Sequence, residues 1–140
     1  MSTKKRKDHA FLAICEFKTF IKNFQKKNGE DIYDSKQNNL AVLKRTGKGN
    51  CVAFNKLFNS ICKKKGVKFY SLTLENIAKP KDSNHQIGFV YDARRKSFWL
   101  QNNHLVNKLK SYNQILLYTS DLVGWTSSLV IPIRIKTSVA

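Results

Sequence analysis

Apolar residues recur at helical spacing through Ala10, Ile14, Phe17, Phe20, Ile21 and Phe24, with Lys18, Lys22, Lys26 and Lys27 on other positions. That period predicts an amphipathic helix over 9–27, stopped by Asn28-Gly29. A second stripe, Phe54, Leu57, Phe58, Ile61 and Cys62, predicts a helix over 50–64. Lys63, Lys64 and Lys65 crowd its C-terminal end, where positive charge is favourable, and Gly66 ends it. Between the two lies a polar stretch, 30–50, whose one apolar patch is Leu40, Val42 and Leu43. It is too long for a simple connection, so a short helix or extended piece bordering a site is expected there.

Beyond Gly66 the period changes from helical to alternating. Strands are predicted over 67–74, 85–92 and 96–101, the last two forming an antiparallel hairpin around Ala93-Arg94-Arg95. Further strands are expected at 114–119 and 129–136. Pro132 in the second suggests an edge or a bulge. Helices first and an antiparallel sheet after them define an α+β fold.

Length and charge narrow the picture. The 140 residues make one domain, read as 9–140 behind a basic tail over 1–8. With 41% hydrophobic residues the chain is too apolar to be disordered, despite 25% charged residues. The formal net charge of +17 favours polyanionic partners such as DNA or RNA. Lys4, Lys5, Arg6 and Lys7 in the tail, and Arg94, Arg95 and Lys96 at the hairpin tip, are the candidate phosphate contacts. Tyr91, Phe98 and Trp99 stand nearby as possible base-stacking residues, but strand alternation favours core for them.

Three cysteines, Cys15, Cys51 and Cys62, show no CxxC spacing and no disulfide framework, which suits a reducing compartment. Cys15 and Cys62 are expected to pack on apolar helical faces. No run reaches the roughly 20 apolar residues of a membrane-spanning helix. The N-terminus lacks a signal-peptide core. The expectation is an intracellular protein, cytoplasmic or nuclear, or one packaged in a virion.

Cys51 carries the chemistry. It follows the glycine-broken turn Thr46-Gly47-Lys48-Gly49-Asn50 and opens the second helix. Free backbone N–H groups and the positive end of the helix dipole favour a thiolate there. His85 opens a predicted strand and supplies a base. Asn102, at the end of the next strand, supplies a carbonyl that holds the imidazole tautomer. Gln101 and Asn103 share the opposite face from Asn102, so the strand register decides which amide serves. Gln37, Asn38 or Asn39 are loosely spaced candidates for an oxyanion donor, with a solvated loop the favoured reading.

These residues resemble the transglutaminase-like branch of the papain-like cysteine protease superfamily. The resemblance rests on Thr46-Gly47-Lys48-Gly49-Asn50-Cys51-Val52-Ala53-Phe54 with Leu57, Phe58, Cys62 and Gly66-Val67. It continues in His85 and in Lys96-Ser97-Phe98-Trp99-Leu100-Gln101-Asn102, and covers about residues 40–103. The family usually has aspartate at the third catalytic position, where this chain has amides. The resemblance implies a papain-like core and a cysteine hydrolase or acyltransferase acting on amide or peptide bonds. Cys51 is then nucleophile, His85 base and Asn102 orienter, with a protein or peptide substrate.

The alternative is an inactive basic protein of the same fold, structural or nucleic-acid-associated, such as a virion or ribonucleoprotein component. His9, His85, His104 and the cysteines lack zinc-ligand spacing, and there is no Walker loop, Rossmann glycine motif or HExxH. No metal or cofactor is therefore expected.

Overall fold

The computed structural model describes residues 8–76, 85–115 and 133–139. Three helices precede the sheet: α1 (His9–Asn28), α2 (Leu40–Thr46) and α3 (Cys51–Lys65). The strands are β1 (Tyr70–Asn76), β2 (His85–Asp92), β3 (Ser97–Asn102), β4 (Leu105–Leu109) and β5 (Ile133–Val139). They form one sheet in the order β4-β3-β2-β1-β5, with every neighbouring pair antiparallel. The fold is α+β, as the change of period at Gly66 implies.

Burial follows the apolar stripes. Ala13, Ile14, Phe17, Ile21 and Phe24 of α1 are buried, as are Phe54, Leu57, Phe58, Ile61 and Cys62 of α3. Phe58 links the layers: its ring lies 5.1 Å from Phe17 on α1 and 5.3 Å from Phe69, just before β1. Val90 and Trp99 face this helical core from the sheet. Leu72, Ile87, Phe89, Leu100 and Ile115 form a second cluster on the opposite face. Adjacent residues such as Phe89 and Val90 divide between the clusters because side chains alternate along a strand.

Several boundaries differ from expectation for local reasons. Strand β1 starts at Tyr70 rather than residue 67 because Val67 N–H donates to Cys62 O and so belongs to the end of α3. Cys15 is exposed, not packed. It lies on the opposite side of α1 from Phe17, Ile21 and Phe24, so the apolar stripe passes it by. Of the strand expected at 114–119, residues 114 and 115 lie in a short helical turn, and the rest falls outside the described residues. The strand expected at 129–136 is β5, three residues later in its end; 129–132, with Pro132, lie outside the described residues. Strand β4 was not anticipated, because Leu105-Val106-Asn107-Lys108-Leu109 has no clean alternation.

One side chain, Asn28 at the end of α1, holds α2 against α1 and so fixes the approach to α3. Asn28 Nδ2 donates to Phe24 O at 3.1 Å and to Thr46 O at 2.8 Å. Gly47 follows with φ +82°, and a Cβ there would lie 2.5 Å from Asn28 Nδ2, so the position requires glycine on both counts. No helix among the described residues is long and apolar enough to cross a membrane.

Candidate active site

The chain entering α3 is held before it turns. Gly49 N–H donates to Ile32 O at 3.1 Å, Asp34 N–H to Gly49 O at 2.9 Å, and Asn50 N–H to Gln37 O at 2.8 Å. Asn50 is extended, and its Oδ1 accepts from Val52 N–H at 3.0 Å and Ala53 N–H at 3.1 Å. This side-chain cap satisfies helix-start donors and fixes the first turn. Cys51 is therefore the first residue of a helix whose start is pinned from two sides.

The Cys51 thiol is buried, with 8% of the residue exposed. Hydrogen bonding with the His85 ring and with the backbone at Gln86 and Val52 favours its thiolate. Burial pushes the thiol pKa up, but these hydrogen bonds and the His85 charge outweigh it and leave Cys51 below the ordinary thiol range. Cys62 gives the contrast. It sits in the same helix with no such partners, and burial pushes its pKa up to about 12.

His85 is the first residue of β2, so its ring stands at the strand end that the start of α3 reaches. Its Nε2 lies 2.6 Å from Asn102 Oδ1. The amide oxygen accepts, so Nε2 carries a proton and Nδ1 is the nitrogen left for the thiol. Burial lowers the His85 pKa, while its bonds to Cys51 and Asn102 raise it; the net shift is upward. Thiol down and imidazole up both favour a thiolate–imidazolium pair.

The register decides among the three amides. Ile87 pairs with Asn102 across β2 and β3, so His85, two residues earlier on the same face, is the diagonal neighbour of Asn102. Gln101 points to the helical face, where its Oε1 accepts from Asn55 and its Nε2 donates to Asn103 O. Asn103 adopts φ +51° in the turn to β4. The structure thus brings Cys51, His85 and Asn102 together and leaves Gln101 and Asn103 out of contact with the imidazole.

Gln37, Asn38 and Asn39 serve the scaffold. Gln37 Oε1 accepts from Asn39 N–H, Asn38 O accepts from Lys56 Nζ, and Asn39 Oδ1 caps α2 through Val42 N–H. A residue the sequence reading missed is Tyr33. Its backbone bridges Gly49, its side chain is half-exposed, and its phenol pKa is raised by burial and by the Cys51 charge. The only sequence signal was the general expectation that 30–50 borders the site.

The basic hairpin tip lies at the opposite end of β2 from His85. Arg95 Nη1 reaches the carboxylates of Asp8 and Asp92, and its guanidinium lies 4.3 Å from the Phe11 ring centroid. It therefore ties α1 to the hairpin. Arg94 and Lys96 are exposed. Trp99 Nε1 donates to Asp92 Oδ2 at 3.0 Å, and Trp99 packs against the helical core as alternation implied. Lys4, Lys5, Arg6 and Lys7 lie outside the described residues. Among the described residues, no group of three or more His, Cys, Asp or Glu could hold a metal ion. Comparison of the chain with protein-family models, curated proteins and solved structures found no match.

Proposed function

We propose that this protein is a cysteine hydrolase or acyltransferase acting on amide, peptide or ester bonds through Cys51, His85 and Asn102. The observation that carries the reading is the His85 ring set between the Cys51 thiol, whose thiolate it favours, and Asn102 Oδ1, 2.6 Å from its Nε2. A buried cysteine at a capped helix start needs a base to become a nucleophile, and the imidazole needs an acceptor to hold its tautomer. Cys51, His85 and Asn102 can supply these three roles, which supports the reading. The transglutaminase-like resemblance of residues 40–103 points to the same chemistry.

In the reaction, the Cys51 sulfur attacks the acyl carbon and its proton passes to His85 Nδ1. The tetrahedral adduct collapses, and the imidazolium returns the proton to the leaving amine or alcohol. A thioester remains on Cys51. Water, or an acceptor amine, then attacks the thioester while His85 takes its proton, and the thiol is restored. Asn102 adds no charge; it keeps Nε2 protonated and the ring aimed at the sulfur throughout.

The direct experiment is acyl trapping. Incubation with p-nitrophenyl acetate, followed by intact mass and peptide mapping, should place one acetyl group on Cys51 faster than on Cys15. Cys51→Ala should abolish that adduct and His85→Ala should slow it by roughly 10²-fold or more, the scale of general-base assistance. Equal acylation of Cys15 and Cys51, indifferent to His85→Ala, would overturn the reading.

A further inference from the structure

Three buried polar side chains where α3 meets the sheet take no direct part in the Cys51, His85 and Asn102 contacts. Asn55 is 6% exposed, Ser71 7% and Gln101 0%. They stand on three different elements. Asn55 lies one turn beyond Cys51 on α3, at the i+4 position that shares its side of the helix. Ser71 and Gln101 flank Gly88 in register across β1, β2 and β3.

Gly88 leaves the space that Asn55 occupies. A Cβ there would meet Phe69 Cζ at 2.2 Å and Asn55 Nδ2 at 3.1 Å. Over that glycine, Asn55 Nδ2 donates to Gln101 Oε1 at 3.4 Å, and Ser71 Oγ donates to Asn55 Oδ1 at 3.3 Å. Gln101 Nε2 donates in turn to Asn103 O at 2.8 Å. The two residues held by that last bond are the chain neighbours of Asn102. One line of bonds therefore runs from the helix that carries Cys51 to both sides of the residue that orients His85.

Apolar packing holds α3 on the sheet without directional bonds. A buried amide with partners on two strands adds direction, since displacement leaves desolvated polar groups unpaired.

We propose that Asn55 is a positioning residue that locks α3 to β1 and β3 in the one register where Cys51 meets His85 and Asn102 backs the imidazole. This rests on the reading of Cys51, His85 and Asn102 as a nucleophile, base and orienter. Asn55 touches none of the reacting atoms and acts through the helix and through Gln101.

Two variants test it in the full-length protein. Asn55→Leu keeps the branched heavy-atom outline, with a bulkier side chain, and removes both bonds; Ser71→Ala removes one bond with minimal change of shape, and carries the test if Asn55→Leu does not fold. Each is alkylated with iodoacetamide across pH with the labelled cysteine mapped, and the His85 ring is titrated by NMR. In folded Asn55→Leu, Cys51 labelling at about pH 6 should fall about tenfold against the wild type and change little at about pH 9, because the thiolate loses its fixed partner. The His85 midpoint should fall as well, and Ser71→Ala should move both in the same direction by less.

A folded variant with a lower melting temperature but wild-type Cys51 and His85 profiles would overturn the proposal, since a merely structural role gives that result. If wild-type Cys51 itself titrates as an ordinary thiol, the nucleophile reading fails. The positioning claim is then decided by the His85 midpoint alone, and an unchanged midpoint in the variant overturns it.

Discussion

His85 Nε2 and Asn102 Oδ1 lie 2.6 Å apart although the two residues are not directly opposite one another; Asn102 pairs with Ile87. The contact is diagonal across β2 and β3. It depends on this register alone, because a shift of one residue would turn Asn102 to the helical face. The bond raises the His85 pKa. Asn102→Ala should therefore lower the His85 midpoint, read by NMR titration, and reduce alkylation of Cys51 at acidic pH. An unchanged midpoint would mean that Asn102 does not orient the ring.

The three cysteines should separate in one labelling experiment on the native protein. Cys51 should react at the lowest pH, exposed Cys15 should react as a surface thiol, and buried Cys62 should stay unlabelled until the protein unfolds. Cys62→Ala should cost about 1–2 kcal/mol in chemical denaturation by removing a small buried apolar group. The alternative outcome, native labelling of Cys62 at the rate of Cys15, would place it outside the core.

Gly88→Ala should be among the most damaging single-methyl changes in the sheet. The new Cβ would lie 2.2 Å from Phe69 Cζ and 2.4 Å from Phe69 Cε1, so a core ring must move. Overpacking of this kind costs about 1–3 kcal/mol, read as a lower midpoint in urea. A midpoint within error of the wild type would show that Phe69 has room to shift.

Asp92 joins the hairpin to Trp99 and Arg95, and its pKa is lowered because those hydrogen bonds and the Arg95 charge outweigh burial, which alone would raise it. A carboxylate with a depressed folded-state pKa contributes stability above its ordinary value of about 3.9; that contribution is lost as pH falls through the lower folded value. Asp92→Asn should therefore destabilise the protein at neutral pH and flatten its loss of stability on acidification. Urea midpoints at neutral pH and at about pH 3 measure both.

With 26 Lys and Arg against 9 Asp and Glu, binding to DNA or RNA at low salt should occur with little sequence preference. Each phosphate contact adds about 0.7–0.9 to the salt slope. Deletion of residues 1–7 should lower that slope more than Arg95→Ala does, because Arg95 is already held by Asp8 and Asp92. Fluorescence anisotropy of a labelled oligonucleotide across salt measures it; a wild-type slope after deletion of residues 1–7 would remove the tail from the interaction.

The helices and the hairpin were legible because their signals are local. Phe17, Ile21 and Phe24, and Phe54, Leu57 and Phe58, repeat at the helical period and are buried accordingly. Cys51 at a helix start followed from Gly49, Asn50 and the stripe after them. The third residue of the site was not decidable in the same way. Asn102, Gln101 and Asn103 are all amides, and only the pairing of β2 with β3 separates the one that meets His85 from the one that meets Asn55. Asn55 itself reads as an ordinary polar position within an amphipathic helix. Its role appears once Ser71 and Gln101, distant in sequence, are set on either side of Gly88. Tyr33 is likewise close to Cys51 only because residues 32–34 pair with Gly49.

The most direct test of Cys51 as a nucleophile paired with His85 is its alkylation rate by iodoacetamide between about pH 5 and pH 9, in the wild type and in His85→Ala. The expected result is a wild-type midpoint below the ordinary cysteine value of about 8.5, moved upward in His85→Ala as the hydrogen bond and charge that lower it are removed. A wild-type midpoint at or above that value, unmoved by His85→Ala, would contradict it.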